Sequence, residues 1–488
     1  MPVAAVLGID ITTGEFALAV RSADGEEDYV AMKMQGDKYW DGDKNYPAFE
    51  LAAVAGMLLE LLSDLERKGW TFNKAGRMSV SCRQHDMVLL GEAGQSVLPF
   101  ALSWQCNAAT AEADEINASR SAVKSIGTVE PRLILPKLLH VLRKQPELKA
   151  GLACVTTTGD WVAYQLTGRQ TINTSEAQSN GLFDLSKRKL PEKVLRSLGL
   201  KARWFPRLVK SGKSVGLVTG SDVPAADGEW AALRAKLADW EFLAGMGDNH
   251  ASAVGCGVKD SQSVLVSAGT SGTINWVSKR FPPPKSGVLC FGFFLRNLWL
   301  LMLARCAKWY DDARDEFFPP DKFSHADLNR LALEAEPTKL ARVLFHDGEH
   351  YPRDWSRLPT SVQVASVQFS IVLELLLRLR QMLKAMPRKA AVQRFILTGG
   401  LSQSDFFCHV FHTGVKLLVP DAEVLVSGRT GPLRYKTTAY GALVNAEFGG
   451  DVAAIPDDRF PTNPCPAPDD SKRQSLEDRL RPLLTQDK

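Results

Sequence analysis

None of the eight cysteines pairs with another at Cys-x-x-Cys spacing, and they lie scattered through 488 residues. That removes the common zinc spacings and a dense disulfide framework, and it fits buried thiols in a reducing, cytosolic setting. Long apolar runs are missing as well. The most apolar stretch, Leu298 to Ala304, falls far short of the roughly 20 residues a spanning helix needs. Excess charge is absent too: 59 Lys and Arg against 55 Asp and Glu leave a net +4. Basic clusters such as Lys187-Arg188-Lys189 are short and isolated, so no nucleic-acid footprint and no membrane partner are expected. The N-terminus has no basic segment and Asp10 interrupts its apolar start, so no secretory signal is expected and the setting reads as cytoplasmic. What remains, 45% hydrophobic and 23% charged residues, is ordinary for a globular protein. The length calls for two domains rather than one core.

One short pattern occurs twice. Val6-Leu7-Gly8-Ile9-Asp10-Ile11-Thr12-Thr13-Gly14 is an apolar run followed by a Thr/Gly turn, and a second apolar run starts at Phe16. Val264-Leu265-Val266-Ser267-Ala268-Gly269-Thr270-Ser271-Gly272 repeats the order, with Ile274 in the place of Phe16. Each copy predicts a β-hairpin whose small turn residues expose N–H groups and hydroxyls, a concavity suited to phosphate oxygens. Either copy alone is also compatible with a plain Thr/Gly turn. The pairing predicts two similar domains facing each other across a cleft with a polyphosphate between them.

Between the two copies, strands are expected at Ala4–Ile9, Phe16–Arg21, Tyr29–Met32, Arg77–Cys82 and Val88–Leu90. Helices are expected over about 47–68, 109–148 and 159–166. In the second half the expected elements are an amphipathic segment at 362–385, a strand at 395–397 and an irregular Pro-rich tail over 461–469. Strands and helices alternate in both halves, so the fold class is α/β. The boundary falls near Gly255–Ser263, giving domains 1–256 and 257–488.

Several residues can carry chemistry. Asp10, at the mouth of the first turn, can hold Mg²⁺ through water or cap its own backbone. Asp248, in Gly245-Met246-Gly247-Asp248-Asn249-His250, stands at an N-cap position, where the helix end keeps a carboxylate ionised. Such a carboxylate can orient an alcohol and accept its proton during phosphoryl transfer. Ile396-Leu397-Thr398-Gly399-Gly400-Leu401-Ser402 is a strand entering a Gly-Gly turn, where an adenine or ribose can lie against the backbone. Ser81-Cys82-Arg83-Gln84-His85-Asp86 ends a strand, a common ligand position in α/β proteins. His85 there can donate to a sugar hydroxyl or bond within its own loop. Trp104 offers a flat face to a sugar or is simply buried.

In this order the pieces resemble the FGGY family of carbohydrate kinases, whose fold is the duplicated ribonuclease-H-like fold of actin and hexokinase flanking a deep cleft. Leu7 to Thr13 resembles the family's first phosphate motif, Gly247-Asp248-Asn249 its base motif, and Ser267 to Gly272 its second phosphate motif. Leu397 to Gly400 resembles the adenosine motif, and Tyr440-Gly441-Ala442 the closing helix. Asp160-Trp161-Val162 with Leu166-Thr167-Gly168 fits a segment of the family's first domain. The resemblance implies ATP and Mg²⁺ as cofactors, Asp248 as base and Asp10 at the metal. It implies Thr12, Thr13, Gly269, Thr270, Gly399, Gly400 and Ser404 at the nucleotide, and Gln84, His85, Trp104, Asp248 and Asn249 at the sugar.

Within the family the likeness is greatest to the xylulose-phosphorylating members, with another ketose or polyol, or a sugar- or nucleotide-binding relative without turnover, as alternatives. A small sugar is the implied partner, and a homodimer is among the implied assemblies. Four departures stand out. Cys82-Arg83-Gln84-His85-Asp86 replaces the usual Gly-Gln-Met-His-Gly, and Trp104-Gln105-Cys106-Asn107-Ala108 replaces Trp-x-Asp-x-Arg. Ser404 stands for Asn and His350 for Arg. The first two fall near the sugar pocket.

Overall fold

The structure is a computed structural model that describes residues 2–12, 14–34, 38–218, 228–283, 286–294, 296–303, 305–345, 350–427, 433, 436–456, 459–460 and 462–485. Thr13 lies outside these. Two compact units share the chain: 1–255 with 291–296 and 431–456, and the remaining segments 256–290, 297–430 and 457–488.

The first unit is built on a six-stranded sheet. Its order is Ser214–Leu217, Glu241–Gly247, Arg77–Cys82, Ala4–Ile11, Glu15–Ser22, Glu27–Lys33. The first hairpin forms where the repeated pattern places it, with Ile9 opposite Leu18 and Asp10 opposite Ala17. Glu27–Lys33 adds antiparallel to it, while Arg77–Cys82 and Glu241–Gly247 add in parallel on the other side. Leu7, Ile9 and Ile11 alternate into one face of the core, as period-2 spacing requires.

The opposite face carries Gly8. A Cβ there would lie 2.5 Å from the Leu443 nitrogen and 2.6 Å from the Ala439 carbonyl oxygen. The helix Thr437–Phe448 therefore lies directly on the Asp10 strand. It also packs on the helix Asp248–Gly255, where Gly441 meets the Ala251 backbone and Gly255 meets that of Thr437. These glycine contacts place 431–456 with the first unit, which corrects a boundary that assigned everything beyond 257 to the second domain.

The second unit repeats the plan. Its sheet includes, in order, Arg296–Leu303, Gly272–Ser278, Ser263–Ala268, Arg394–Thr398, Glu423–Ser427 and Thr462–Pro464. An antiparallel hairpin, a third antiparallel strand and two parallel strands recur in the same order. Through its core runs Thr360–Ala385, among the described residues the one helix long and apolar enough to cross a membrane, with 83% of its apolar 18-residue window buried inside the protein.

Local expectations differ from the structure in four places. Pro47–Glu50 is a strand paired with Phe100–Leu102, and the helix starts only at Ala53. The helical stretch 109–148 breaks into Thr110–Ala118, Arg120–Ile126 and Ile134–Lys144, because Ser119 caps a new helix and Gly127 turns with φ 81°. Thr462–Pro464 is not irregular but an edge strand, a position where proline loses no ladder bond. Glu241–Gly247 continues as a strand through both glycines, so Asp248 is the first helical residue rather than a cap.

Replacing Gly8 with alanine drives a methyl into helix backbone. Gly8→Ala is expected to cost about 2–3 kcal/mol in urea denaturation, the upper range for overpacking; an unchanged midpoint would mean that this helix does not sit on the strand.

Candidate active site

Three parallel strands of the first unit end level with one another. Ile11 pairs with Cys82, and Cys82 with Gly247. The next residues of each strand are therefore delivered to the same end of the sheet: the first turn, the Arg83–Asp86 segment and Asp248.

In the first turn, the Thr12 amide and hydroxyl both donate to the Glu15 carbonyl at 2.9 Å, so this hydroxyl shapes the turn. Asp10 is buried. Its Oδ2 accepts a 2.5 Å bond from the Thr438 hydroxyl, while Oδ1 is buried without a partner among the described residues. Burial pushes this carboxyl up to about 7, against the hydrogen bond from Thr438 and with help from the charges of Asp248 and Glu15. No cluster of three His, Cys, Asp or Glu suited to a metal exists among the described residues. One orphaned carboxylate oxygen fits Mg²⁺, which takes one or two protein oxygens and keeps its waters.

Asp248 opens the helix Asp248–Gly255. Its Oδ1 accepts the Asn249 amide at 2.8 Å and the Asn249 side chain at 3.2 Å. Asn249 also donates to Gln84 Oε1 at 2.8 Å, and Gln84 Nε2 lies 3.2 Å from His250 Nδ1. Asp248, Asn249, Gln84 and His250 thus form one hydrogen-bonded line. Surrounding protein pushes the Asp248 carboxyl up to about 6; the Asn249 amide opposes this, and the Asp86 charge adds to it. No side chain fits at Gly247, because a Cβ would run into Gln84 and Glu176.

His85 has φ 71°, a left-handed conformation that costs a histidine of order 1 kcal/mol. Its Nδ1 is bonded to Asn180 Oδ1 at 3.0 Å and its ring lies 5.4 Å from that of Phe291, so only Nε2 can serve a ligand. Burial holds the imidazole well below its usual range and neutral. Trp104 is half-buried.

The structure joins residues whose connection the sequence does not reveal. Arg83 and Asp86 form a buried ion pair at 2.8 Å, and the guanidinium lies 4.5 Å over the Phe49 ring. Two departures from the family pattern are thus one neutral unit. Asp86 Oδ1 accepts the Trp104 amide at 3.1 Å. Lys137, buried, donates to the carbonyls of His85 at 2.5 Å, Leu102 at 3.1 Å and Ser103 at 3.0 Å. It ties the Trp104 segment to the His85 turn. Glu176, also buried, accepts from Asn180 at 3.1 Å and lies behind Gly247. A lysine or glutamate inside a helical stretch reads as a solvated surface residue, so neither signalled its position.

In the second unit, Ser267 pairs in parallel with Thr398, which brings the second phosphate turn and the Gly399-Gly400 turn to one sheet end. The Gly269 and Thr270 carbonyls accept from Ala307 at 2.8 Å and Cys306 at 2.9 Å. Gly399 has φ 100°, and a Cβ on it would lie 2.5 Å from the Ala268 carbonyl group. At Gly269 and Gly400 an added Cβ would meet no atom closer than 3.7 Å, leaving backbone open to a ligand. Ser404 is different: it is buried, its hydroxyl accepts from the Phe407 amide at 3.4 Å and donates to Gln368 at 2.7 Å. It caps the helix Asp405–Leu418 rather than presenting a hydroxyl to a nucleotide.

Two such sheets, with paired turns and an acid on the first, define the actin and hexokinase fold class. A solved xylulose kinase from Rhodospirillum rubrum matches 98% of this chain and 97% of its own at TM-score 0.78 and 17% identity. A Plasmodium falciparum glycerol kinase with ADP matches 100% and 99% at TM-score 0.77 and 12% identity. At such identities these matches establish the fold. Residues 51–255 match the N-terminal domain of the FGGY family of carbohydrate kinases. A xylulose kinase of Escherichia coli (strain K12) is 29% identical over 240 residues, 48% of each chain. One of Streptomyces coelicolor is 28% identical over 296 residues, 59% of this chain and 57% of its own. The aligned region spans about half the length of these relatives. This similarity to the FGGY family of carbohydrate kinases is carried by the first half of the chain.

Truncating Lys137 leaves three buried carbonyls without a donor. Lys137→Met is expected to cost about 3 kcal/mol in chemical denaturation, from the penalty for unsatisfied buried polar groups; a loss below a few tenths would show that water replaces the ammonium.

Proposed function

We propose that the protein transfers the γ-phosphate of ATP to a sugar hydroxyl, with D-xylulose as the leading substrate and xylulose 5-phosphate as product. The reading rests on one observation above others: Asp248 and Asp10 stand at the ends of strands held in register by Arg77–Cys82. Asp248 orients the sugar hydroxyl and takes its proton as the oxygen attacks phosphorus. The helix N-terminus favours the ionised form of this base. Gln84, His85 Nε2, Asn249 and the face of Trp104 bind the sugar. Backbone at Gly269, Thr270, Gly399 and Gly400 is assigned to the nucleotide, as are Thr12 and Thr13. Mg²⁺ on Asp10 Oδ1, when bound, neutralises phosphate charge.

The names of the curated relatives support xylulose. Solved structures of similar fold include a gluconate kinase from Lactobacillus acidophilus and a glycerol kinase, so another ketose or a polyol is the alternative acceptor. A cytoplasmic enzyme acting on a small sugar, with no nucleic-acid or membrane partner and with a homodimer as its assembly, completes the reading.

In a coupled assay over a panel of ketoses and polyols, Asp248→Asn should lower kcat by about a thousandfold, within the range for a lost general base. An active Asp248→Asn enzyme would remove the base. The pH profile has a worked sign: a base raised to about 6 is protonated and inactive below that pH. The value of kcat/KM should therefore rise through about 6 and level off above it, and a profile flat from pH 5 to 8 contradicts the assignment.

A further inference from the structure

The helix Thr437–Phe448 makes two contacts with the first turn that the reading above does not use. Thr438 donates to Asp10 Oδ2 at 2.5 Å, at one end of the turn. At the other end, Lys436 Nζ lies 3.0 Å from both carboxylate oxygens of Glu15 and 5.1 Å from the Tyr29 ring centre. The Tyr29 hydroxyl bonds the same Glu15. One helical turn thus grips the Asp10–Glu15 segment at both ends. It cannot drift, because Gly8 and Gly441 leave no gap between this helix and its neighbours.

The two grips differ in kind. The Thr438 bond is part-buried and occupies one of the two Asp10 oxygens, so Oδ1, buried and without a partner among the described residues, is the oxygen left for a ligand. A carboxylate free to rotate could chelate through both oxygens or turn away; this one is presented through a single atom. The Lys436–Glu15 pair is half-exposed, with side chains 37% and 34% accessible. Pairs of that kind contribute little, so the ammonium can exchange a carboxylate for a more highly charged anion at small cost. The turn itself carries only acids, Asp10 and Glu15, and a polyphosphate bound there needs positive charge beyond its metal.

Resting on the kinase reading, we propose that Lys436 and Thr438 belong to the phosphate site. Thr438 is a positioning residue that makes Asp10 a one-oxygen ligand for the divalent ion, and Lys436 binds the terminal phosphates of the nucleotide after leaving Glu15.

The test uses the full-length protein. Binding of Mn²⁺ in the presence of ADP is followed by the paramagnetic resonance of the free ion, alongside steady-state kinetics. Thr438→Val should weaken Mn²⁺ binding and lower kcat by about tenfold or more, the usual effect of losing a group that orients a metal ligand. The sugar KM should stay unchanged, and Thr438→Ser should restore both losses. Lys436→Gln should raise the inhibition constant of inorganic tripolyphosphate about tenfold, the worth of one charge-assisted bond, while Lys436→Arg keeps it low. Wild-type Mn²⁺ affinity in Thr438→Val, or wild-type tripolyphosphate inhibition in Lys436→Gln, overturns that residue's part. Asp248→Asn separates the two levels: if it is inactive while both helix variants behave as wild type, the inference fails and the kinase reading stands. If the wild-type protein phosphorylates no sugar or polyol of the panel, the kinase reading itself fails.

Discussion

Ile11, Cys82 and Gly247 lie side by side at the ends of three neighbouring parallel strands, and the site in the first unit depends on that register. The side-chain period of a strand is two, so a slip of one residue would turn Asp10 from the helix-covered face to the opposite one. The register is held by the alternation of Leu7, Ile9 and Ile11 into one apolar face and by Gly8, which admits a helix against the other. Chemistry at the strand ends is thus secured by packing several residues earlier. The second unit applies the same device with Ser267 and Thr398 in register and Gly399 pressed against Ala268.

Buried charge is handled locally around this frame. Arg83 neutralises Asp86, Lys137 is surrounded by carbonyl oxygens, and His85 and His250 are held neutral by burial. Asp10 and Asp248 are exceptions in opposite senses. Asp10 keeps one oxygen without a partner among the described residues, whereas Asp248 has its Oδ1 bonded by Asn249. An unsatisfied buried carboxylate oxygen is costly, and the binding role proposed for Asp10 gives that cost a reason.

Much of this was legible from sequence. The duplicated apolar-run and turn pattern located both hairpins, because strand alternation and turn chemistry are local properties. The acid present in one copy and absent from the other singled out Asp10, and two glycines before an acid singled out Asp248. The illegible parts are those set by distant segments. Nothing local in Lys436-Thr437-Thr438 announces that they meet residues 10 and 15, nor that Lys137 is buried under the His85 turn. Ser404 read as a ligand residue because it falls in a motif, yet its environment makes it a helix cap. The helix 437–448 read as part of the second domain because chain order, not packing, was the only guide.

The Arg83–Asp86 pair bears on how this pocket could have diverged from others of its fold. Removing either partner leaves the other a buried charge without its ion pair, a change that typically costs about 3–5 kcal/mol. A chain cannot pass stepwise between this arrangement and an uncharged one without crossing that unfavourable intermediate. Arrangements with and without the pair are therefore separated by a stability barrier.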